Sequence, residues 1–239
     1  MLGVMSMARA QNLTDDQGRK QGRWITEYPE GELESEGLYV DDMKVGVWKT
    51  YHANGVIWIV EEYNEEGQLD GLHMEVNGNG SVTVIENYAL GLQDGKQVYL
   101  HRTGRFKRVV TYVEGKIEGP DQKYYETGQL QEEIVYKNGV RQGQASWYHI
   151  SGELSLLYTY VDGQLEGEMR SYYKEGGIKA IGYFKDNEFE GSYKEFHPSG
   201  LIKLEGTYKK GLKQGDWVEY DEEGNELNRE RYVQGELKD

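Results

Sequence analysis

Histidine is the metal-binding side chain to consider first in this sequence, because the chain contains no cysteine. Four of its five histidines are regularly spaced, at steps of 49, 48 and 48 residues: His52, His101, His149 and His197. Such a column is a metal site only if the side chains converge, since the ligands of a zinc ion all lie about 2 Å from it. The fold must therefore decide whether these histidines can meet.

Carboxylates form a second regular series. Each member stands directly before a glycine, and glutamine fills three of the gaps: Asp70, Asp94, Glu118, Glu166 and Glu190, with Gln21, Gln142 and Gln214. Carboxylates that lie close together bind calcium or act as an acid–base pair, whereas a spaced strip attracts a basic partner over a distance. The distance between successive members decides which of these applies.

Other reactive patterns are missing from the sequence. It has no cysteine nucleophile, no G-x-S-x-G turn and no G-x-x-x-x-G-K-[ST] phosphate loop. Its one local positive patch, which would support only a weak phosphate contact, consists of Arg102, Arg105, Lys107 and Arg108. We therefore predict that the chain is not an enzyme and that it binds no cofactor and no metal.

Glycine marks an internal repeat, and a fixed period decides the fold. One column of glycines recurs at steps of 24, 25 and then six times 24 residues: Gly22, Gly46, Gly71, Gly95, Gly119, Gly143, Gly167, Gly191 and Gly215. A second column lies nine residues after each of these anchors. A third lies twenty residues after most of them, with Asp42 and Asn187 in two of its places. The sequence thus contains nine tandem repeats.

Aromatic residues keep the same period. Position seventeen after the anchor is Tyr or Phe in every repeat: Tyr39, Tyr63, Tyr88, Tyr112, Tyr136, Tyr160, Phe184, Tyr208 and Tyr232. Position five is aromatic in most repeats, as in Tyr124, Tyr148 and Tyr172, and position eleven is usually aliphatic or Phe. Because short segments of such residues alternate with glycine turns, each repeat is predicted to be a β-hairpin.

The predicted fold class is all-β, an elongated single-layer antiparallel meander of nine hairpins with about 18 strands. Positions eleven and seventeen are an even number of residues apart, so a period of two places them on one face as the core stripe. Residues 19–239 form one array. Residues 1–18 precede it as a signal-peptide remnant plus linker, because Ala8-Arg9-Ala10 has the A-x-A form of a signal-peptidase site.

The geometry of the predicted hairpins decides whether the histidines and the carboxylates can converge. Strands lie about 4.8 Å apart, which separates alternate repeats by about 19 Å and successive repeats by about 10 Å. The four histidines therefore cannot share a metal ion, and we expect them to flank turns, as tyrosine does at the same position in other repeats. The carboxylates form either a solvated acidic edge or a docking strip for a basic partner.

The repeat pattern resembles that of a known family. The motif G-x-W-x-x-Y-x-x-x-G-x-I, present at residues 46–57 and followed in the repeats by Tyr-x-x-Gly, is similar to the MORN repeat. The length near 24 residues and the additional glycine turn are most similar to the bacterial MORN variant of the YwqK-type antitoxin family. The resemblance implies a hairpin-repeat fold and an accessory, scaffolding or membrane-associated role, with an antitoxin role as the family label.

Charge and hydropathy limit the partners. With 42 acidic and 27 basic residues, the formal net charge is −15, which repels nucleic acids and anionic lipids. No run of 18 apolar residues is present, so the sequence predicts no transmembrane segment. We expect a protein partner that is basic or neutral, and no nucleic acid. The A-x-A sequence favours a periplasmic or secreted location, with the cytoplasm as the alternative.

Three functions remain open. The first is a non-catalytic scaffold for protein–protein interaction in the cell envelope or outside the cell. The second is an antitoxin-like neutraliser of a cognate basic toxin, and the third is a cell-wall or glycan-binding module. The predicted partner-binding residues are an aromatic face and the acidic edge beside it: Trp48, Tyr124, Tyr148, Tyr172, Asp94, Glu118, Glu166 and Glu190.

Overall fold

The computed structural model describes residues 11–238 and confirms the all-β prediction. This range contains no helix, and so none that could span a membrane. The predicted cleavage sequence at residues 8–10 lies outside the described residues. Twenty-four strands form an antiparallel meander: Leu13–Thr14 (β1), Lys20–Glu27 (β2), Leu33–Val40 (β3), Met43–Tyr51 (β4), Ile57–Tyr63 (β5), Leu69–Val76 (β6), Val82–Ala89 (β7), Leu92–Gln93 (β8), Gly95–Leu100 (β9), Phe106–Val113 (β10), Lys116–Ile117 (β11), Gly119–Tyr124 (β12), Leu130–Lys137 (β13), Val140–Tyr148 (β14), Leu154–Val161 (β15), Gln164–Leu165 (β16), Gly167–Tyr172 (β17), Ile178–Lys185 (β18), Glu188–Phe189 (β19), Gly191–Phe196 (β20), Ile202–Lys209 (β21), Leu212–Tyr220 (β22), Glu226–Val233 (β23) and Glu236–Lys238 (β24).

The repeat unit is a β-hairpin, as predicted. In the second repeat, β4 pairs with β5 from Gly46 opposite Tyr63 to Tyr51 opposite Ile57. The same register, with the anchor glycine opposite the aromatic residue at position seventeen, recurs in the hairpins that begin at Gly22, Gly71, Gly119, Gly143, Gly167, Gly191 and Gly215.

Two-residue turns connect most repeats to the next. In the turn at Asp162 and Gly163 both residues have positive φ, 48° and 83°. This is the type I′ conformation, whose twist matches that of the flanking strands. Asp42 and Asn187 hold the glycine place of this turn in two repeats and also have positive φ, 66° and 68°. These two residue types tolerate the left-handed region better than most, which explains the substitutions in the third column.

The strand count is 24 rather than the predicted number of about 18. In four repeats the first strand is interrupted at the residue before the anchor glycine, which leaves the separate two-residue strands β8, β11, β16 and β19. The anchor glycines have positive φ in all nine repeats, and in the other five the strand continues through the glycine, as Met43–Tyr51 does through Gly46. Two further strands, β1 and β24, flank the nine hairpins.

Part of the predicted N-terminal segment belongs to the sheet. Leu13 and Thr14 pair with Gln21 and Lys20. The carbonyl of Leu13 also accepts a hydrogen bond from Nε1 of Trp24 at 3.2 Å. Residues 13–14 thus provide a neighbouring strand for the first repeat.

Positions eleven and seventeen lie on opposite faces of the sheet, so the predicted core stripe is wrong in this respect. In the second repeat Thr50 pairs with Ile59, but the next residue, Tyr51, pairs with Ile57. Trp58 is therefore an extra residue in a β-bulge. Because directly opposed residues share a face, Ile57 lies on the face of Tyr51, and Ile59 lies on the other face with position seventeen.

The core lies on the face that carries positions two, thirteen, fifteen and seventeen, which we call the core face. The opposite face, with positions one, three, five, fourteen and sixteen, is called the groove face. All but Val76 and Val218 of the buried hydrophobic residues in the described chain are on the core face: Trp48, Val110, Ile134, Ala145, Tyr160, Met169, Ala180 and Trp217. Positions two and fifteen, which the sequence pattern did not single out, therefore supply most of the core.

Side chains of complementary size meet on the core face where one repeat adjoins the next. Ile134, at position fifteen, pairs with Ala145, at position two of the following repeat. Gly206 and Trp217 occupy the same two positions three repeats later in the chain. A Cβ on Gly206 would lie 2.3 Å from a ring carbon of Trp217, so the indole needs a glycine beneath it.

The chain divides into two compact units. The first runs to Phe106 and adds Thr111–Lys116, and the second consists of Lys107–Val110 and the chain from Ile117 onward. In the second unit, Ile134, Ala145 and Tyr160 form a buried cluster.

Candidate docking surface

Trp48, which we expected on an exposed aromatic face, is buried in the first unit and only 5% exposed. Its ring lies over Gly37, where a Cβ would come within 2.2 Å of it, and its Nε1 donates a hydrogen bond to the carbonyl of Leu38 at 2.9 Å. Tyr39 packs edge-on with ring centroids 4.8 Å apart, and Nζ of Lys44 lies 4.8 Å from the ring centroid. Trp48 therefore supports the sheet and is not accessible to a partner.

The acidic residues of the predicted docking strip have a structural role. They stand where the first strands are interrupted, and all are half-buried: Asp94, Glu118, Glu166 and Glu190. Each accepts a hydrogen bond from the backbone N–H twenty residues later, in the next two-residue turn, at 2.9, 2.7, 3.0 and 2.7 Å respectively. Gln142 and Gln214 accept the same bond at 2.8 and 3.0 Å. The turn therefore needs a side-chain hydrogen-bond acceptor at this position, but that side chain need not be charged.

The three tyrosines of the predicted footprint, Tyr124, Tyr148 and Tyr172, are half-buried on the groove face. They lie near the turns within the hairpins, whereas the acidic residues lie near the turns between repeats. Six residues of strand separate the two positions, a distance of about 20 Å. The structure thus does not bring Trp48, the tyrosines and the carboxylates together in one surface.

The histidine column forms hydrogen bonds from repeat to repeat. Nε2 of His52 lies 2.9 Å from the carbonyl of Val76, and the hydroxyl of Tyr28 donates to the carbonyl of Tyr51 at 2.7 Å. The same contact recurs at Tyr125, His149, Tyr173 and His197. Within residues 11–238, no group of three or more His, Asp or Glu is arranged to hold a metal ion.

The fifth histidine, His73, belongs to a polar cluster on the core face of the first unit. Its Nδ1 lies 3.4 Å from Oε1 of Glu61, within ion-pair range but without hydrogen-bond alignment, and its Nε2 lies 3.4 Å from Oε1 of Glu75. Glu61 also accepts a hydrogen bond from the Tyr63 hydroxyl at 2.8 Å. The one cue in the sequence was that His73 occupies position two, where Trp48 stands in the repeat before.

The charged groups in this cluster shift each other's pKa values. The Glu61 carboxylate raises the pKa of His73, with smaller contributions in the same direction from Glu75 and Glu86, while burial opposes the shift. In return His73 lowers the pKa of Glu61, and so does Lys44. The protonated imidazole is therefore favoured in the folded state.

We expect replacement of His73 by glutamine to cost stability in mildly acidic solution but not in alkaline solution. The folded-state pKa of His73 lies above the ordinary value of 6.5, so its contribution is fully present below pH 6.5 and is lost as the pH rises through the raised value. The wild-type protein should melt about 2 °C above His73→Gln at pH 6 and together with it at pH 9. Thermal melts across this range measure the difference, and an advantage that does not change with pH would contradict the assignment.

The groove face of the first unit carries a shallow groove of about 380 Å³ where the first repeat adjoins the second. Its lining residues are Arg23, Glu36, Gly37, Leu38, Val47 and Lys49. Leu38 and Val47 form the apolar part and are 47% and 50% exposed. Arg23 and Glu36 form an ion pair of 2.9 Å at the rim. We call this the first groove.

An equivalent groove of about 270 Å³ lies in the second unit, where the eighth repeat adjoins the ninth. It is lined by Ser192, Lys194, Glu205, Gly206, Thr207, Asp216 and Val218. Thr207 and Asp216 stand at the repeat positions of Leu38 and Val47. This second groove therefore shares the backbone frame of the first but has a polar lining.

Five of the nine repeats match a family model. The model is that of the MORN repeat variant, and it matches residues 20–41, 44–65, 117–138, 165–186 and 189–210. The chain contains MORN repeats. The matched MORN repeats are the first, second, fifth, seventh and eighth, and the first groove lies where the first two of them adjoin. The match does not extend to an antitoxin assignment.

The other comparisons show only a distant likeness. The chain is 10% identical to a chain in the Tc holotoxin pore of Photorhabdus luminescens, with a TM-score of 0.23, over 92% of this chain and 13% of that chain. It is 11% identical to a chain in the crystal structure of TcdB2-TccC3, with a TM-score of 0.20, over 89% of this chain and 16% of that chain. The MORN-repeat chain thus spans less than a fifth of those chains. No curated protein matches it significantly.

Proposed function

We propose that this MORN-repeat chain is a non-catalytic scaffold that binds a protein through the groove face of its sheet, in the cell envelope or outside the cell. The chain is a repeat scaffold by its fold, and protein binding is the function that its surface supports best. The partner is basic or neutral, in keeping with the net charge of −15.

One observation carries this proposal: equivalent grooves occur at the same repeat positions in both units, with different linings. A constant frame with variable side chains is the arrangement by which repeat proteins form extended binding surfaces. Leu38 and Val47 give the first groove an apolar centre, and Arg23, Glu36 and Lys49 give it a charged rim. An apolar centre with a polar rim is typical of protein–protein interfaces.

The groove face also favours binding over catalysis. Both grooves are shallow, and all the titratable residues that line them except Lys49 are engaged in ion pairs, such as Arg23 with Glu36 at 2.9 Å and Lys194 with Glu205 at 3.1 Å. Enzymes usually enclose their substrates in deeper pockets with convergent polar groups.

Photo-crosslinking tests the proposed function. A benzophenone amino acid is placed at position 47 of the full chain, in the cells that naturally produce it, and a second version carries it at Leu227, an apolar residue that is 63% exposed. We expect one dominant protein adduct from position 47, competed by unlabelled wild-type chain, and no such adduct from position 227. Equal labelling from both positions, or no adduct from position 47, would contradict docking on the groove face.

The acidic balance favours a second candidate, an antitoxin-like neutraliser of a basic toxin. The crosslinked partner would then be a basic protein whose activity stops when this chain binds it. Asp94→Asn, Glu118→Gln, Glu166→Gln and Glu190→Gln together would slow that association, because they remove charge while keeping the hydrogen-bond acceptor that Gln142 and Gln214 provide elsewhere.

A further inference from the structure

We propose that the first groove binds a protein segment in which an aliphatic or aromatic side chain stands beside a carboxylate. This inference rests on the proposed function and gives the chemistry of the partner at one site. It concerns the first unit alone, where the first repeat adjoins the second.

The apolar half of the ligand is selected by Leu38 and Val47. Both aliphatic side chains are about half exposed, at 47% and 50%, and they border the same groove of about 380 Å³. This volume is within the range of about 300–1,000 Å³ that ligand sites span. An inserted apolar side chain would remove the exposed parts of both residues from water, which is favourable.

The charged half of the ligand is selected by Lys49. Both oxygens of Glu36 are occupied, Oε2 by Arg23 at 2.9 Å and Oε1 by the Tyr51 hydroxyl at 2.8 Å. Glu62 lies opposite Val47 but extends its carboxylate over Gly71, where it would meet an added Cβ at 2.3 Å.

Lys49 stands opposite Glu36 in the strand pairing, and the pKa of Glu36, which Arg23 lowers most, is also lowered by Lys49. The ammonium group of Lys49 nevertheless forms no ion pair within 4 Å with any residue of the described range 11–238. The charged group at this rim that can pair with a ligand is therefore the ammonium group of Lys49, and the group on the ligand that complements it is a carboxylate.

The second groove is an internal reference for both features. It replaces Leu38 and Val47 by Thr207 and Asp216. Val218 stands at the repeat position of Lys49, and the one lysine that lines this groove, Lys194, is paired with Glu205 at 3.1 Å. The second groove thus has the same backbone arrangement but lacks the apolar centre and the available ammonium group. We therefore expect it not to bind such a segment.

A displayed library of random 12-residue peptides, selected on the full chain, tests the inference. We expect enriched peptides to carry Leu, Ile, Phe or Met within two residues of Asp or Glu. The variant Leu38→Thr with Val47→Asp has the residues of the second groove at these two positions and should bind these peptides at least tenfold more weakly, while melting with the wild type. Lys49→Glu should change the enriched charge from acidic to Lys or Arg, whereas Lys194→Glu should leave the selection unchanged.

Other outcomes of this selection would contradict the inference. Enriched peptides without a neighbouring acid, or with undiminished binding to Leu38→Thr with Val47→Asp, would show that the first groove does not select this chemistry. If the crosslinker at position 47 still captures a protein, the proposed function stands and only the partner chemistry is wrong. If neither peptides nor a crosslinked protein are found, both fail.

Discussion

Replacing Gly206 by isoleucine and Trp217 by alanine together should cost far less stability than the two single changes added up. Gly206→Ile alone pushes a side chain into the indole, which already lies 2.3 Å from an ideal Cβ, and should cost about 3 kcal/mol. Trp217→Ala alone empties a site that is 2% exposed and should cost about 3–5 kcal/mol. The double variant reproduces the natural pair Ile134 and Ala145, so we expect a favourable coupling of about 2 kcal/mol.

Urea denaturation followed by circular dichroism measures this cycle. The matched control is Gly78→Ile, because Gly78 has no atom within 4 Å of an added Cβ and no positive φ; it should leave the midpoint nearly unchanged. If the costs of the two changes simply add, Trp217 does not fill the space above Gly206, and the size matching between positions fifteen and two is not what holds neighbouring repeats together.

Replacing Asp121 by alanine should destabilise the second unit by about 3 kcal/mol. The side chain of Asp121 is only 7% exposed, and its two oxygens accept hydrogen bonds from Nε and Nη2 of Arg108 at 2.7 and 2.9 Å. Removal of the carboxylate leaves the guanidinium on the core face without this bidentate partner. The cost should largely disappear in Arg108→Met with Asp121→Leu, since apolar residues of similar volume often replace a buried ion pair without loss.

An exposed ion pair provides the control for this prediction. Arg229 and Asp216 lie 3.5 Å apart with both side chains nearly half exposed, so Asp216→Ala should not change the melting temperature measurably. Equal effects of Asp121→Ala and Asp216→Ala would mean that the Arg108–Asp121 pair is not buried in solution.

The sequence predicted the hairpin repeats because their glycines are required by backbone conformation. The anchors and the second column have positive φ throughout, and Asp42 and Asn187 adopt it in place of glycine. These backbone constraints act within a few residues, so they produce a fixed spacing of glycines that can be recognised in the sequence. The aromatic column at position seventeen was likewise placed correctly opposite the anchor glycines.

The face assignments could not be obtained in the same way. One bulged residue such as Trp58 reverses the alternation, and the sequence pattern does not show it, because the spacing between glycines stays the same. Trp48 was expected to be exposed, but whether it is buried depends on Gly37 in the preceding repeat. The His73 cluster and the two grooves also arise from contacts between neighbouring repeats, which a single repeat motif does not encode.

Hydroxyl-radical footprinting of the chain, alone and bound to the protein captured at position 47, tests the central proposal most directly, because it reports the exposure of individual side chains. We expect the partner to protect Leu38 and Val47 on the groove face while oxidation of Leu227 stays unchanged. Unchanged oxidation of Leu38 and Val47 in the complex would contradict the proposal that this chain is a scaffold that docks its partner on the groove face.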